Sequence, residues 1–192
     1  MNELAEPRQA GLTHPANLLT IARLVFSPLM FWLVLDAEAT RGTSWAAFVL
    51  GVLLAMTDFF DGKVARRSNV VSKSGAFLDP LADKMLVLGA CFCLVAVDRY
   101  WWLPVALITA RELGITAWRT RWASRGLSLP ARKSAKYKTF VQGGALVAAA
   151  MPTLENQDTA IAVMLWVAVV WTLVTGLQYL IDGQNALSTT GD

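Results

Sequence analysis

Charge is scarce in this sequence. Asp, Glu, Lys and Arg together fill only 16% of its 192 positions, where a soluble domain carries about a quarter. Hydrophobic residues fill 55%. That balance excludes an ordinary soluble domain and points to an all-α, polytopic membrane protein. Six spans of about 20 residues would use about 120 positions and leave short loops. No room remains for a separate soluble module, and no internal repeat, low-complexity tract or linker is visible. Histidine is scarcer still. The single His14 precedes Pro15 and has no second histidine to work with, which argues against a metal ligand. The two cysteines, Cys91 and Cys93, lie two apart in an apolar stretch. They face different sides of a helix and cannot bridge each other, so they read as lipid-facing or packing residues. The net charge of +3 raises nucleic acid as a partner, but the basic residues gather at span ends, which argues against it.

The chain reads as one membrane domain over 1–192, with a polar N-terminal segment at 1–16 and a polar tail at 182–192. Apolar spans are expected at about 18–35, 44–66, 75–97, 103–122, 136–152 and 159–181. Ala37-Glu38-Ala39 has the outline of a signal-peptidase site, but the run before it is too long for a signal h-region and acids crowd the supposed cut. Tyr100-Trp101-Trp102 marks an interface. Gly143-Gly144 is expected to permit close helix packing. With the N-terminus inside, the outward loops hold only Arg41 and Arg99. The inner side takes Arg8, Arg66, Arg67, Lys73, Arg119, Arg121, Arg125, Arg132, Lys133, Lys136 and Lys138. The positive-inside rule therefore puts the ends of spans two and three on the cytoplasmic face.

Those two ends carry the densest chemistry. Residues 58–83 follow the pattern D-x2-D-G-x2-A-R-x8-G-x3-D-x3-D. If both halves are helical, Asp58, Asp61, Gly62 and Ala65 share one face. Gly75, Asp79 and Asp83, at i, i+4 and i+8, share another. Folding the helices back through the polar 67–74 turn brings four carboxylates together under a backbone kept bare by Gly62, Ala65 and Gly75. Four anions repel unless cations intervene. Two divalent ions balance them charge for charge, and carboxylate oxygens suit Mg²⁺ or Mn²⁺. Such a site is built to hold phosphates. Asp58 lies about 12 Å from Arg66 along the helix axis, so if Arg66 and Arg67 sit at headgroup level the acids are sunk in a cavity just inside the bilayer.

This stretch resembles the signature of the CDP-alcohol phosphotransferases, integral membrane enzymes of phospholipid synthesis. Every specified position of the family pattern is present at family spacing. Asn17-Leu-Leu-Thr20-Ile-Ala-Arg23 is similar to the family's N-terminal element beside the nucleotide pocket, with Ala16 where proline is usual. The resemblance implies the six-helix CDP-alcohol phosphotransferase fold in the cell membrane, an active site facing the cytoplasm, and a homodimer. It also implies the reaction: a CDP-linked lipid gives its phosphatidyl group to an alcohol, and CMP leaves. By resemblance, Asp58, Asp61, Asp79 and Asp83 hold two metals, and Asp83 is the general base. Asn17, Thr20, Gly62, Ala65, Arg66 and Gly75 border the CDP-lipid, with Arg66 placed for a phosphate.

The acceptor is chosen outside the signature. Arg111, deep in span four, joins Arg119, Lys136 and Lys138 near the inner surface, and such cations suit a phosphorylated acceptor. Ala110-Arg111-Glu112, Arg119 and Lys136-x-Lys138-Thr139 resemble the glycerol-phosphate branch, the phosphatidylglycerophosphate synthases, although Ala135 stands where that branch has glycine. The expected substrates are therefore CDP-diacylglycerol and glycerol 3-phosphate. Arg121, Arg125, Arg132 and Lys133 read as anchors for lipid headgroups. Glu112 suggests itself as an orienting group for Arg111 or Arg119, but neighbours in a helix do not face each other. Within the family, cardiolipin synthase and an inositol-phosphate transferase are the alternatives. Outside enzymes, the alternative is a divalent-cation transporter, which needs acids along a path open to both sides rather than near one face.

Overall fold

The structure, a computed structural model, describes residues 15–68, 73–123 and 133–190, with side chains described for residue 18 and for 20–57, 81–123 and 137–184. Among the described residues there are six α-helices and no strand: α1 (Pro15–Asp36), α2 (Trp45–Ser68), α3 (Lys73–Ala96), α4 (Trp102–Ala123), α5 (Lys133–Ala149) and α6 (Asp158–Thr190). Single 3₁₀ turns, Glu38–Thr40 and Pro152–Leu154, sit in two of the connections. The expected spans fall on these helices, but α6 continues well beyond 181. Its extension has a packing reason: Trp118 of α4 stacks edge-on to Tyr179 at 5.7 Å between centroids. It also lies so close to Gly183 that any added Cβ would overlap its ring. The polar tail is thus helical as far as Thr190.

α1 packs against α2 and α3, and α6 against α4 and α5, with α3 touching α4 and α5 between the two groups. Val34, Cys91, Leu94, Ile108, Ala149 and Leu165 form part of the apolar core. Cys91 is buried and Cys93 half-buried, and both thiols are free. The outer surface is the unusual part. Trp32, Leu53, Phe92, Leu113, Phe140 and Leu177, one from each helix, are exposed, while Thr20, Arg23, Glu112, Lys138, Gln142 and Thr172 are buried.

By length and composition, one helical segment among the described residues is apolar enough to cross a membrane: Asp158–Gln184, with mean hydropathy 2.3. Trp45–Thr57 is a shorter apolar run. Within α4, Arg111, Glu112, Arg119 and Arg121 lower the mean hydropathy.

At the end away from the signature, the loops are stapled together. Arg99 has a fully buried side chain that donates from Nε to the Ala149 carbonyl at 3.2 Å, from Nη2 to Leu154 at 2.6 Å and from Nη1 to Glu155 at 2.7 Å. Nη1 also reaches Asp158 Oδ1 at 3.0 Å, and Arg41 Nη2 lies 2.9 Å from the same oxygen. Burial holds Arg99 below the ordinary arginine value, whereas the hydrogen bond to Asp158 raises Arg41. The loops expected on the outer side therefore do lie together. Trp101 and Trp102 are exposed, but Tyr100 turns inward and donates to the Ala145 carbonyl at 2.8 Å.

One glycine expectation changes. Nothing lies within 4 Å of a Cβ added at Gly143 or Gly144, so this pair makes no close helix contact among the described residues. Close approach falls instead on Gly89, crossed by Phe31, and on Gly176 and Gly183 of α6. Which glycines are crossed depends on the facing side chains, and the pair alone cannot tell.

Candidate active site

The middle of the bundle holds one buried carboxylate between two cations. Glu112 Oε1 accepts from Lys138 Nζ at 2.6 Å and from Arg111 Nη1 at 3.0 Å. Their side chains are 9%, 11% and 11% exposed, respectively, so water screens them little, and two basic side chains share one carboxylate. Arg111 Nη2 donates to Thr175 Oγ1 at 3.3 Å, and that hydroxyl is anchored on the Trp171 carbonyl at 2.9 Å. Arg111 Nε is buried with no acceptor among the described residues.

Helical spacing explains how the parts meet. Lys138 and Gln142 are i and i+4 on α5, and Thr172 and Thr175 are i and i+3 on α6, so each pair shares a face. Gln142 Nε2 donates to Thr172 Oγ1 at 2.8 Å, which joins the two faces. Gly176 follows on α6 and leaves a slot for Arg111, whose Nε would sit 2.9 Å and Cγ 3.2 Å from a Cβ there.

α3 approaches the same place. Asp83 is half-buried, and its charge acts through space on Lys138, as that of Lys84 acts on Glu112. On α1, Thr20, Arg23 and Ser27 form a buried polar face at i, i+3 and i+7, with Ser27 Oγ bonded to the Arg23 carbonyl at 2.6 Å.

Residues 13–174 match the family model described as CDP-alcohol phosphatidyltransferase. The chain belongs to that family. Among curated relatives, a probable phosphatidylglycerophosphate synthase of Mycobacterium tuberculosis is 36% identical over 178 residues, covering 90% of this chain and 82% of the relative. A CDP-diacylglycerol–glycerol-3-phosphate 3-phosphatidyltransferase of Rickettsia typhi is 35% identical, covering 85% and 93%. One of the same description from Bacillus subtilis is 32% identical, covering 91% and 97%. The family makes the chain a transferase of phospholipid synthesis, as the signature implied.

The residues expected from the sequence divide into three groups. Arg111 and Lys138, assigned to the acceptor, come together on Glu112, with Asp83 in electrostatic reach. Arg119 stands apart from them and is exposed, with its guanidinium carbon 5.9 Å from the Tyr179 ring centroid. Asp58, Asp61, Gly62, Ala65, Arg66, Gly75, Asp79, Asn17 and Lys136 lie on helices, but their surroundings fall outside the described side chains. No three metal-ligating side chains gather among the described ones. The helix ends do set levels for the signature acids. Asp58 stands ten residues before the end of α2 and Asp83 ten after the start of α3, with Asp61 and Asp79 seven and six away.

Sequence reasoning left Glu112 without a settled partner because it follows Arg111 directly. The arginine side chain is long enough to curl back onto its neighbour. Thr172, Thr175 and Gly176 were missed altogether, although their spacing within the otherwise apolar run 160–177 of α6 was a signal.

Proposed function

We propose that this transferase moves the phosphatidyl group of CDP-diacylglycerol to glycerol 3-phosphate, giving phosphatidylglycerophosphate and CMP. The observation that carries the reading is a pair of buried cations on one carboxylate: Lys138 of α5 and Arg111 of α4 share Glu112, and α3, which bears Asp83, packs against both helices. Buried cations at that point suit an acceptor that brings its own phosphate. The printed names of the relatives above agree with this choice.

Asp58, Asp61, Asp79 and Asp83 would hold two divalent ions, Mg²⁺ or Mn²⁺. The donor set fits: all four are hard oxygen ligands, and each stands six to ten residues from the end of α2 or the start of α3, which supports a shared level. Bound there, the ions supply charge neutralisation to the pyrophosphate and to the leaving oxygen. The protein's own groups do the rest. Asn17, Thr20, Gly62, Ala65, Arg66 and Gly75 border the CDP-lipid. Arg111 and Lys138 take the acceptor's phosphate, while Lys136 and the exposed Arg119 draw it in from the cytoplasm. Asp83 removes the proton from the acceptor hydroxyl as its oxygen bonds to the phosphatidyl phosphorus. The bond from that phosphorus to CMP breaks, and CMP leaves with the electron pair.

All six helices span the plasma membrane as one domain in this reading, with the site open to the cytoplasm. Apolar side chains exposed on every helix around an interior that includes buried polar and charged groups support the span count, and the bias of basic residues supports the orientation. The protein acts as a homodimer, a state taken from family resemblance. CMP release by purified protein tests the acceptor directly. CDP-diacylglycerol is supplied with glycerol 3-phosphate, inositol phosphate or phosphatidylglycerol in turn. Turnover with glycerol 3-phosphate alone is expected; preference for either of the others would refute the assignment.

A further inference from the structure

We propose that Glu112 is a positioning residue for acceptor binding: its Oε1 holds Lys138 and Arg111 as a fixed pair of cations aimed at one phosphate. The inference rests on the acceptor site proposed above and adds a residue to it. Lys138 and Arg111 arise on different helices, and each side chain is only 11% exposed. Without an anion between them they would repel, and long basic side chains escape such crowding by turning toward the interface. Glu112 opposes that escape by holding one donor of each at 2.6 and 3.0 Å.

It does so without exhausting them. An ammonium has three donors and a guanidinium five. Glu112 takes one from Lys138, and Glu112 and Thr175 take one each from Arg111. Arg111 Nε has no acceptor among the described residues. Two basic side chains also share a single carboxylate, which suits a phosphate as the further anion. On the far side of Arg111, Gly176 and Thr175 limit where the guanidinium can go. Carboxylate, glycine slot and hydroxyl thus fix the direction of the arginine from three sides.

The test compares wild type with Glu112→Gln, Glu112→Asp, Lys138→Met and the double variant Glu112→Gln/Lys138→Met. Each is purified as the full chain, and glycerol 3-phosphate KM, kcat and CDP-diacylglycerol affinity are measured. Glu112→Gln should raise the acceptor KM about ten- to hundredfold and leave donor affinity unchanged. Glu112→Asp should recover part of the loss, and the double variant should lose less than the sum of the two single losses, because part of what Glu112 does runs through Lys138. If Lys138→Met raises the acceptor KM but Glu112→Gln does not, Glu112 positions nothing and the inference falls while the acceptor site stands. Full additivity in the double variant, with donor affinity also lost, shows a merely structural carboxylate and likewise overturns it. If neither Lys138→Met nor Arg111→Ala changes the acceptor KM, the acceptor site itself is wrong and the inference falls with it. Should Glu112→Gln fail to assemble, Glu112→Asp decides: its shorter arm must raise the acceptor KM several-fold, and an unchanged KM refutes the role.

Discussion

Arg99 Nη1 lies 3.0 Å from Asp158 Oδ1, and the same guanidinium serves the carbonyls of Ala149, Leu154 and Glu155. One buried side chain therefore closes the α5–α6 connection onto the start of α4. Arg99→Ala removes the donor to three carbonyls, and a buried acceptor left without a partner costs about 1–3 kcal/mol. The variant should unfold several degrees below wild type in detergent, read by thermal unfolding, with acceptor KM unchanged in the fraction that stays folded. A shifted KM would mean that the stapled end and the site are coupled.

Gly176 and Gly183 make a matched pair for testing the slot. Gly176→Ala puts a Cβ 2.9 Å from Arg111 Nε, and overpacking of that kind costs about 1–3 kcal/mol. Acceptor KM should rise about three- to thirtyfold as the guanidinium is displaced. Gly183→Ala meets Trp118 instead; it should lower thermal stability and leave the KM alone. Equal kinetic effects from the two would remove the special place given to Gly176.

Asp83→Asn separates proton transfer from metal holding. As the base, Asp83 should cost about 10²- to 10⁴-fold in kcat when neutralised, with CDP-diacylglycerol binding nearly intact because Asp58, Asp61 and Asp79 remain. Asp58→Asn should lose donor affinity as well. Equal loss of donor affinity in the two variants would make Asp83 chiefly a ligand.

Stripping the metals with a strong chelator should abolish turnover, and Mg²⁺ or Mn²⁺ should restore it. For Asp79→Asn, excess metal should recover part of the activity, since removing one anion weakens metal binding first. Wild-type turnover that persists in chelator would contradict the site.

The helices were legible because apolar runs and charged ends alternate along the chain, and the signature was legible because its spacing keeps acids and glycines on shared faces. Arg111 was recognisable as a buried cation from its depth, whereas Lys138 read only as one of the cations near the inner surface, and its burial appears in the structure alone. What joins them was not legible. Glu112 follows Arg111 in sequence, and only the side-chain path shows that it also meets Lys138, 26 residues on. The same holds for glycine. Gly143-Gly144 looked like a packing motif and meets nothing among the described residues, while Gly176 is crossed by an arginine because α4 happens to pass there. Helical periodicity assigns a residue to a face, but the partner on that face depends on how the helices are arranged.

The central claim is tested most directly by following the atoms. Purified protein is given CDP-diacylglycerol and isotopically labelled glycerol 3-phosphate, and CMP and labelled lipid are quantified together. The account predicts one labelled phosphatidylglycerophosphate for each CMP, with both products lost in Asp83→Asn. CMP released without label entering lipid, or a labelled lipid formed equally well by Asp83→Asn, would contradict it.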